Sequence, residues 1–375
     1  MAAGDTGDWH RFERALRGSL RLLRDSLRQR EEPPGRTERV EAQEQEQQLS
    51  ALEALPIDVK LYILSFLTPE DLCHLGSTSH YWQPIAKDPL LWRYHLIRNI
   101  PSWHSIDWKS LPDANVLNTP FSAPLEGDYM AVYKKCSSCQ KRPLKSSQST
   151  YRIVTSLLHS LVTKTEPRFA MFGPGLENLD ESLVHKMMTS PDVLPLAGIP
   201  HRQIHGIGSG VTFRCKNHQR FNILTLYSKT SKERHTAREE SANPINKMFH
   251  ETNNIDGTVQ YNPIEHVKNL CQLVDGFIYV ADAEVHKRHR RQTEVAQMVA
   301  MLNPALGPPG RPVLILSCIS STGIERIPCV YMAYQLQLNS LGQPWMIQDT
   351  EAVTLAGLLD GIDWLLGETG YDTAQ

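Results

Sequence analysis

No run of apolar residues in this 375-residue chain approaches the roughly 20 needed to cross a bilayer. Nor does the N-terminus show an apolar core followed by a small-residue cleavage site. Membrane insertion and secretion are therefore not expected. Charge of one sign is missing too: 39 lysines and arginines face 41 aspartates and glutamates, a formal net charge of -2. Without a basic excess the chain has no general means of holding nucleic acid. Cysteine is sparse and odd in number, seven between Cys73 and Cys329. That argues against a disulfide framework and for a reducing compartment, cytoplasmic or nuclear. What remains is a soluble, modular protein, since about 150 residues per domain predicts two or three domains.

Within residues 1–48, Trp9, Phe12, Leu16, Leu20, Leu23 and Leu27 recur at helical spacing, and arginines from Arg11 to Arg30 fill the other faces. An amphipathic basic helix is expected. Asp5, Asp8, Glu13 and Asp25 speak against a mitochondrial presequence, which avoids acids. The stripe leaves two readings: a docking helix or solvated extension, or a dimerisation face that would make a homodimer. Residues 31–48, EEPPGRTERVEAQEQEQQ, lose nearly all apolar content and read as a disordered linker.

Residues 49–100 form a helical module. Val59, Ile63, Phe66 and Leu67, joined by Leu64, make one apolar helix face, with Pro56 at its start. Thr68 reads as an N-cap with Pro69 behind it and Asp71 three residues on. A second short helix carries Leu72 and Leu75. Asp88 and Pro89 repeat the device before a third stretch with Leu90, Leu91, Trp92 and Tyr94. Three short helices are too small to bury Leu55, Ile63, Leu64, Phe66, Leu67, Trp82, Leu91 and Trp92 together, so something else must cover part of that surface.

This pattern resembles the F-box family. Leu55 and Pro56 match its opening pair, Ile63 to Leu67 its central core, Asp71 and Leu72 the next pair, then Trp82, and Leu91, Trp92 and Arg93 its close. The resemblance implies a face that docks on a Skp-family adaptor, which connects the chain to a cullin and RING subunit in a ubiquitin ligase. Leu55, Pro56, Ile63, Leu64, Phe66, Leu67, Leu72, Leu75, Trp82, Leu91 and Trp92 are the expected adaptor-binding residues. The plainer alternative is a helical bundle closed by the rest of the chain.

Residues 101–149 read as a connector with one helix near GDYMAVYKKC and a polar, flexible end. From 150 to 375, after a helix near 153–162, strands alternate with helices. Strands are expected over 169–172, 211–215, 222–227, 276–281, 313–318 and 345–348, several continuously apolar as in a buried parallel sheet. Helices are expected over 176–188, 263–274, 284–302, 330–338 and 353–366. The second and third strands are joined by KNHQR, short enough only for a hairpin. The fold class is thus multidomain: an all-α three-helix module followed by a doubly wound, mostly parallel, six-stranded α/β domain. DGFIYVADA and PWMIQDTEAVTLAGLLDGIDWLL resemble the small GTPase family, its Arf-like members especially.

The chemistry of that family does not follow. A phosphate loop needs two glycines, a lysine and a hydroxyl at set spacing. Counting from Gly173, the later positions hold Asn178, Leu179 and Asp180. Asp180 would oppose phosphate with a repulsion on the order of several kcal/mol in a partly enclosed site. Ser228, Lys229, Thr230 and Ser231 stand where a metal-binding carboxylate and glycine belong, and Cys318, Ile319, Ser320 and Ser321 where guanine is read. The turn at Gly175 still offers helix-start amides to a weakly held anion. No cofactor is expected, and no nucleophile, base and orienting group are gathered, so the domain reads as a non-catalytic recognition scaffold. In this topology the second strand should be a sheet edge, where Val211, Thr212, Phe213, Arg214 and Cys215 would take a substrate strand by β-augmentation.

Cys136 and Cys139 together with Cys215 and His218 have zinc-ligand spacing, but nothing local unites the halves, and metal is set aside. A leucine-striped helix, an F-box and a degenerate GTPase-like domain together resemble one group of F-box receptors. That resemblance implies substrate capture for ubiquitination, with D-type cyclins and a telomeric repeat-binding factor as targets that no residue pattern reveals independently. Two competing readings are a nucleotide-regulated switch attached to a ligase and a scaffold unconnected to ubiquitin.

Overall fold

A computed structural model describes residues 50, 52–118, 127–140, 166–198, 208–215, 219–228, 247–253 and 259–370. The expected dimerisation helix from Trp9 to Leu27, the linker at 31–48 and the helix near 153–162 lie outside these residues. Contacts divide the chain into two units. One holds residues up to Asn99 together with 112–135, the other 100–111 and everything from Cys136 on.

In the first unit, four helices occupy the module where three were expected: α1 (Ile57–Leu64), α2 (Pro69–Thr78), α3 (Trp82–Ala86) and α4 (Pro89–Asn99). The caps are those the sequence announces. Thr68 Oγ1 accepts from the Asp71 amide at 3.1 Å and donates to its carboxylate at 2.7 Å. Asp88 accepts from the Leu90 amide at 2.8 Å. Leu64, Leu72, Trp82, Ala86, Leu91, Trp92 and Leu96 are buried. Trp92 is the more deeply buried of the two tryptophans, and its indole N–H is satisfied by the Ala86 carbonyl at 2.7 Å. Burying one such ring contributes about 4–6 kcal/mol of gross transfer energy. Two more helices follow, α5 (Ala114–Asn118) and α6 (Tyr129–Gln140). From α6, Tyr133 packs on Trp92 with centroids 5.5 Å apart and accepts from Asn99 at 2.7 Å.

The second unit is built on a sheet of eight strands, not six. Its strands are β1 (Ser105–Asp107), β2 (Arg168–Phe172), β3 (Leu196–Gly198), β4 (Gly208–Arg214), β5 (Arg220–Leu226), β8 (Gly276–Asp282), β9 (Val313–Ile319) and β10 (Trp345–Glu351), while β6 (Phe249–Asn253) and β7 (Val259–Pro263) form a separate hairpin. The order is β1-β10-β9-β8-β2-β5-β4-β3. The central five strands are parallel, and β4 runs antiparallel to β5, as the short KNHQR connection required. Every residue of β8 and β9 is buried, which explains their unbroken apolar runs.

The two unexpected strands are three residues long and carry no periodicity that a sequence reading could use. β1 comes from the presumed connector and pairs antiparallel with β10, Ile106 opposite Ile347. β3 pairs with β4, Leu196 opposite Phe213.

The expected helices are present but shorter: α7 (Gly175–Asn178), α8 (Leu183–Thr189), α9 (Glu265–Cys271), α10 (Arg291–Met301), α11 (Cys329–Gln335) and α12 (Leu358–Glu368). The 176–188 segment breaks into α7 and α8 because Ser182 recaps the chain, accepting from the His185 amide. The 353–366 segment starts late because Leu355 and Gly357 both have positive φ, 60° and 78°. A Cβ on Gly357 would stand 2.0 Å from the Asp349 carbonyl.

His95 gives this fold a pH dependence. Burial first, and then the charge of Arg98, pull its imidazole down to about 4 from its ordinary 6.5. The unfolded chain therefore takes up a proton that the folded chain refuses, and stability should fall as pH drops from about 6.5 towards 4, by at most about 3 kcal/mol. Denaturant titrations of the wild type and His95→Leu across that window should show the smaller slope for the variant.

Candidate functional site

Two surfaces bear on function, one in each unit. In the first, α1 is turned inside out relative to an ordinary amphipathic helix. Its buried residues are Lys60 and Leu64. Lys60 hydrogen-bonds the Tyr81 hydroxyl, which itself donates to the Glu53 carbonyl at 2.9 Å. The opposite stripe, Val59, Tyr62 and Ile63, continued by Phe66 in the turn just past the helix, has the spacing i, i+3, i+4 and i+7 and faces outward, with Tyr62 55% and Phe66 68% exposed. Their rings meet edge to face, centroids 5.1 Å apart. Leu52, Ile57 and Pro56 are also exposed.

The expected adaptor-binding set therefore divides. Pro56, Ile63 and Phe66 are exposed, while Leu55, Leu67 and Leu75 are half-buried. Leu64, Leu72, Trp82, Leu91 and Trp92 are the module's own interior, which corrects their assignment to the outer face. Each is apolar and matches the pattern, and a pattern does not distinguish the side facing in from the side facing out. Leu52, Ile57 and Tyr62 are exposed apolar residues outside the expected set, although the spacing of Tyr62 to Ile63 and Phe66 places it on the same stripe.

In the second unit, the carboxyl ends of the parallel strands, where doubly wound sheets hold ligands, are filled by the protein's own side chains. Gly173 has φ 126°, but its missing side chain serves packing: a Cβ there would lie 2.5 Å from the Val280 carbonyl. The amides after it are spent locally. Leu176 donates to Gly173, and Glu177 and Asn178 donate to Pro174, so three of the amides at this helix start are engaged locally. The Glu177 carboxylate, buried, accepts from the Ser228 amide and hydroxyl at 2.5 and 2.7 Å, tying this loop to the end of β5.

Beside it lies a second knot. Glu284 has no solvent exposure, accepts from the Ser320 amide and hydroxyl at 2.8 and 2.6 Å, and pairs with Lys287 at 2.7 Å. Burial pushes its carboxyl up, but Lys287 and the Ser320 donors outweigh that and hold it below the ordinary range. Lys287 also donates to the Asn178 carbonyl and lies 3.8 Å from Asp180, whose amide donates to Ser320 Oγ. Asp282 has its carboxyl raised by burial. Burial likewise drives the Cys318 thiol well up. The positions corresponding to phosphate, metal and base recognition are thus joined to one another. Lys229, Thr230 and Ser231 lie outside the described residues.

The expected substrate edge is corrected as well. β4 is the second strand from its end of the sheet, since β3 covers Thr212 and Phe213 and the Arg214 amide donates to Pro195. Thr212, Phe213 and Cys215 are buried, Thr212 bonded to Asn222 at 2.6 Å and Cys215 to Asp363 at 2.9 Å. Val211 and Arg214 are half-buried. Cys136 and Cys139 stand on α6, not in a flexible tail, and Cys139 meets Ser105 at 3.7 Å. His218 lies outside the described residues.

An F-box-like family model matches residues 52–98. F-box only protein 4 of Bos taurus is 52% identical over 366 residues, covering 96% of this chain and 94% of its own length. The Mus musculus and Homo sapiens proteins of the same name are also 52% identical, each covering 98% of this chain. The chain belongs to the F-box only protein 4 family. Family membership places it among the substrate-recognition subunits of Skp-cullin-F-box ubiquitin ligases. A solved structure, the Arl6 (BBS3) small GTPase of Trypanosoma brucei with a bound nucleotide analogue, covers 56% of this F-box protein and all of its own chain at a TM-score of 0.32 and 14% identity. At that distance it carries no argument, and the GTPase-like topology rests on the strand order itself.

If packing on β8 is what demands the glycine in this F-box protein, Gly173→Ala should lower stability by about 2–4 kcal/mol. Thermal unfolding checks this, and an unchanged melting temperature would contradict the packing argument.

Proposed function

We propose that the chain is the non-catalytic receptor subunit of a Skp-cullin-F-box ubiquitin ligase, docking the adaptor through the outer stripe of α1 and a target protein through the α/β domain. The observation that carries this is the apolar row Val59, Tyr62, Ile63 and Phe66, left uncovered within the segment that the F-box-like model matches. Aromatic and aliphatic side chains set in one row are what a partner's groove removes from water, at about 25 cal/mol per Å² buried. The adaptor would join the chain to a cullin and RING subunit. Holding a target lysine beside a charged ubiquitin carrier then raises its effective concentration, so no catalytic group is required of this chain.

The α/β domain works in this reading without a nucleotide. Glu177 bound to Ser228, and Glu284 bound to Lys287 and Ser320, support the loss of nucleotide binding, because a phosphate would have to displace buried carboxylates from their donors. A nucleotide-regulated switch is disfavoured on the same ground. Targets would add a strand beyond the outer edge of β3 and beside residues 208–211 of β4, to which no described strand pairs on that side. D-type cyclins and a telomeric repeat-binding factor are the targets that the resemblance suggests.

Replacing Tyr62 by Ala and Phe66 by Glu should abolish copurification of the Skp adaptor while leaving the melting temperature within a few degrees, since both side chains face water. Undiminished adaptor recovery would overturn the docking assignment. Leu72→Ala, by contrast, should cost about 2–5 kcal/mol of stability. For the target side, Leu196→Asp places a charge on the exposed outer strand, so it should weaken target capture several-fold with the adaptor still bound. Unchanged capture would move the target elsewhere on the domain.

A further inference from the structure

Six consecutive basic-type residues follow β8: His286, Lys287, Arg288, His289, Arg290 and Arg291. The fold divides them by parity. The odd positions turn inward. Lys287 pairs with Glu284, His289 Nε2 donates to the Glu284 carbonyl at 2.8 Å, and Arg291 pairs with Glu294 at 2.8 Å and donates to the Asp282 carbonyl. The even positions turn outward. Arg288 and Arg290 are exposed, and among the described residues neither side chain has an acidic or hydrogen-bonded partner. His286 is exposed as well, with one ring nitrogen 3.5 Å from Glu284.

The buried carboxylates explain the inner row and leave the outer row unexplained. Those outer arginines stand where the chain can least use them. Arg290 takes the N-cap of α10, a place that favours Ser, Thr, Asp or Asn, and no side chain caps the helix there. Cations at the positive end of a helix repel it, a local cost that an anion would relieve.

We propose that segment 286–290 docks an acidic stretch of the target protein. For the identity of the partner this rests on the receptor reading above. Three features favour a polypeptide carboxylate cluster over nucleic acid. The segment is short: it begins in a turn at His286, and even a fully extended chain from His286 to Arg290 would span no more than about 13 Å, a few residues of a partner strand. No aromatic residue is interleaved within it to stack a base, whereas Val285 beside it is exposed and offers an apolar contact. The chain as a whole carries a net charge of -2, so the positive patch is local and would not track a long polyanion. Guanidinium groups also suit paired, two-pronged contact with carboxylates.

The test uses the full-length chain purified with its Skp adaptor and a labelled peptide of about 12 residues alternating Glu and Ser, with binding read by fluorescence polarisation. Binding should weaken as salt is raised, because the contacts are solvent-exposed. Arg288→Ala with Arg290→Ala should weaken it roughly fivefold or more, and the double Lys variant, which returns the charge without the planar fork, should restore only part of it. Both arginines are exposed, so melting temperatures should not change. If the Ala variant binds the peptide as the wild type does while the adaptor still copurifies, the docking assignment is wrong and the receptor reading stands. If the adaptor is absent but the arginine-dependent binding persists, the receptor reading fails and the acidic site stands. Equal or tighter binding of a single-stranded RNA of similar length, competing with the peptide, would overturn the choice of a protein partner.

Discussion

The α/β domain depends on one buried carboxylate. Glu284, wholly removed from solvent, gathers the amide and hydroxyl of Ser320 and the ammonium of Lys287, and Lys287 reaches on to the Asn178 carbonyl. Three loops at the carboxyl end of the sheet are thereby fastened to one another. An ion pair of this kind is poor evidence for extra stability, because desolvating both charges costs about what their attraction returns. What it supplies is definition. The loops at this end of the sheet are ordered by their own residues, and Glu177 with Ser228 adds a second tie.

The F-box unit shows the opposite economy. There the order is complete inside, with Trp92 bonded and packed, and incomplete outside, where α1 buries a lysine and exposes Val59, Tyr62, Ile63 and Phe66. Lys60 is tolerated because its stem is apolar and its ammonium finds the Tyr81 hydroxyl, with the tyrosine ring 5.1 Å away. Val59, Tyr62 and Ile63 of the helix are thereby left facing water, while Leu64 alone of its aliphatic side chains joins Lys60 in the interior. One unit is closed where its fold would ordinarily bind something, and the other is open where an isolated helix bundle would ordinarily close.

The sequence made some of this readable and concealed the rest for physical reasons. Caps at Thr68 and Asp88, the hairpin at KNHQR and the continuous strands β8 and β9 were legible because each is fixed by neighbouring residues. The missing phosphate-loop lysine and hydroxyl were legible because that chemistry has no substitutes. Strands β1 and β3 were not, since three residues held by a distant partner carry no pattern of their own. Their absence from the reading also produced the error at β4, which looked like an edge because the strand covering it could not be seen. The division of the F-box residues into inner and outer sets was hidden for a related reason: Leu72 and Phe66 are equally apolar, and only the packing says which one faces water. The ties made by Glu177 and Glu284 could not be foreseen either, as their partners lie 51 and 36 residues away.

The strand β1 has a consequence for how the molecule is made. Residues 105–107 emerge from the ribosome early, yet the strand they pair with, β10, follows about 240 residues later. One border of the sheet therefore stays unsealed through most of synthesis, and shortening the chain to begin at residue 150 would leave Met346, Ile347 and Gln348 with a bare rim of amides and carbonyls. The stretch between the two named parts is shared by both, residues 100–111 belonging to the second and 112–135 to the first, so no single cut separates them cleanly.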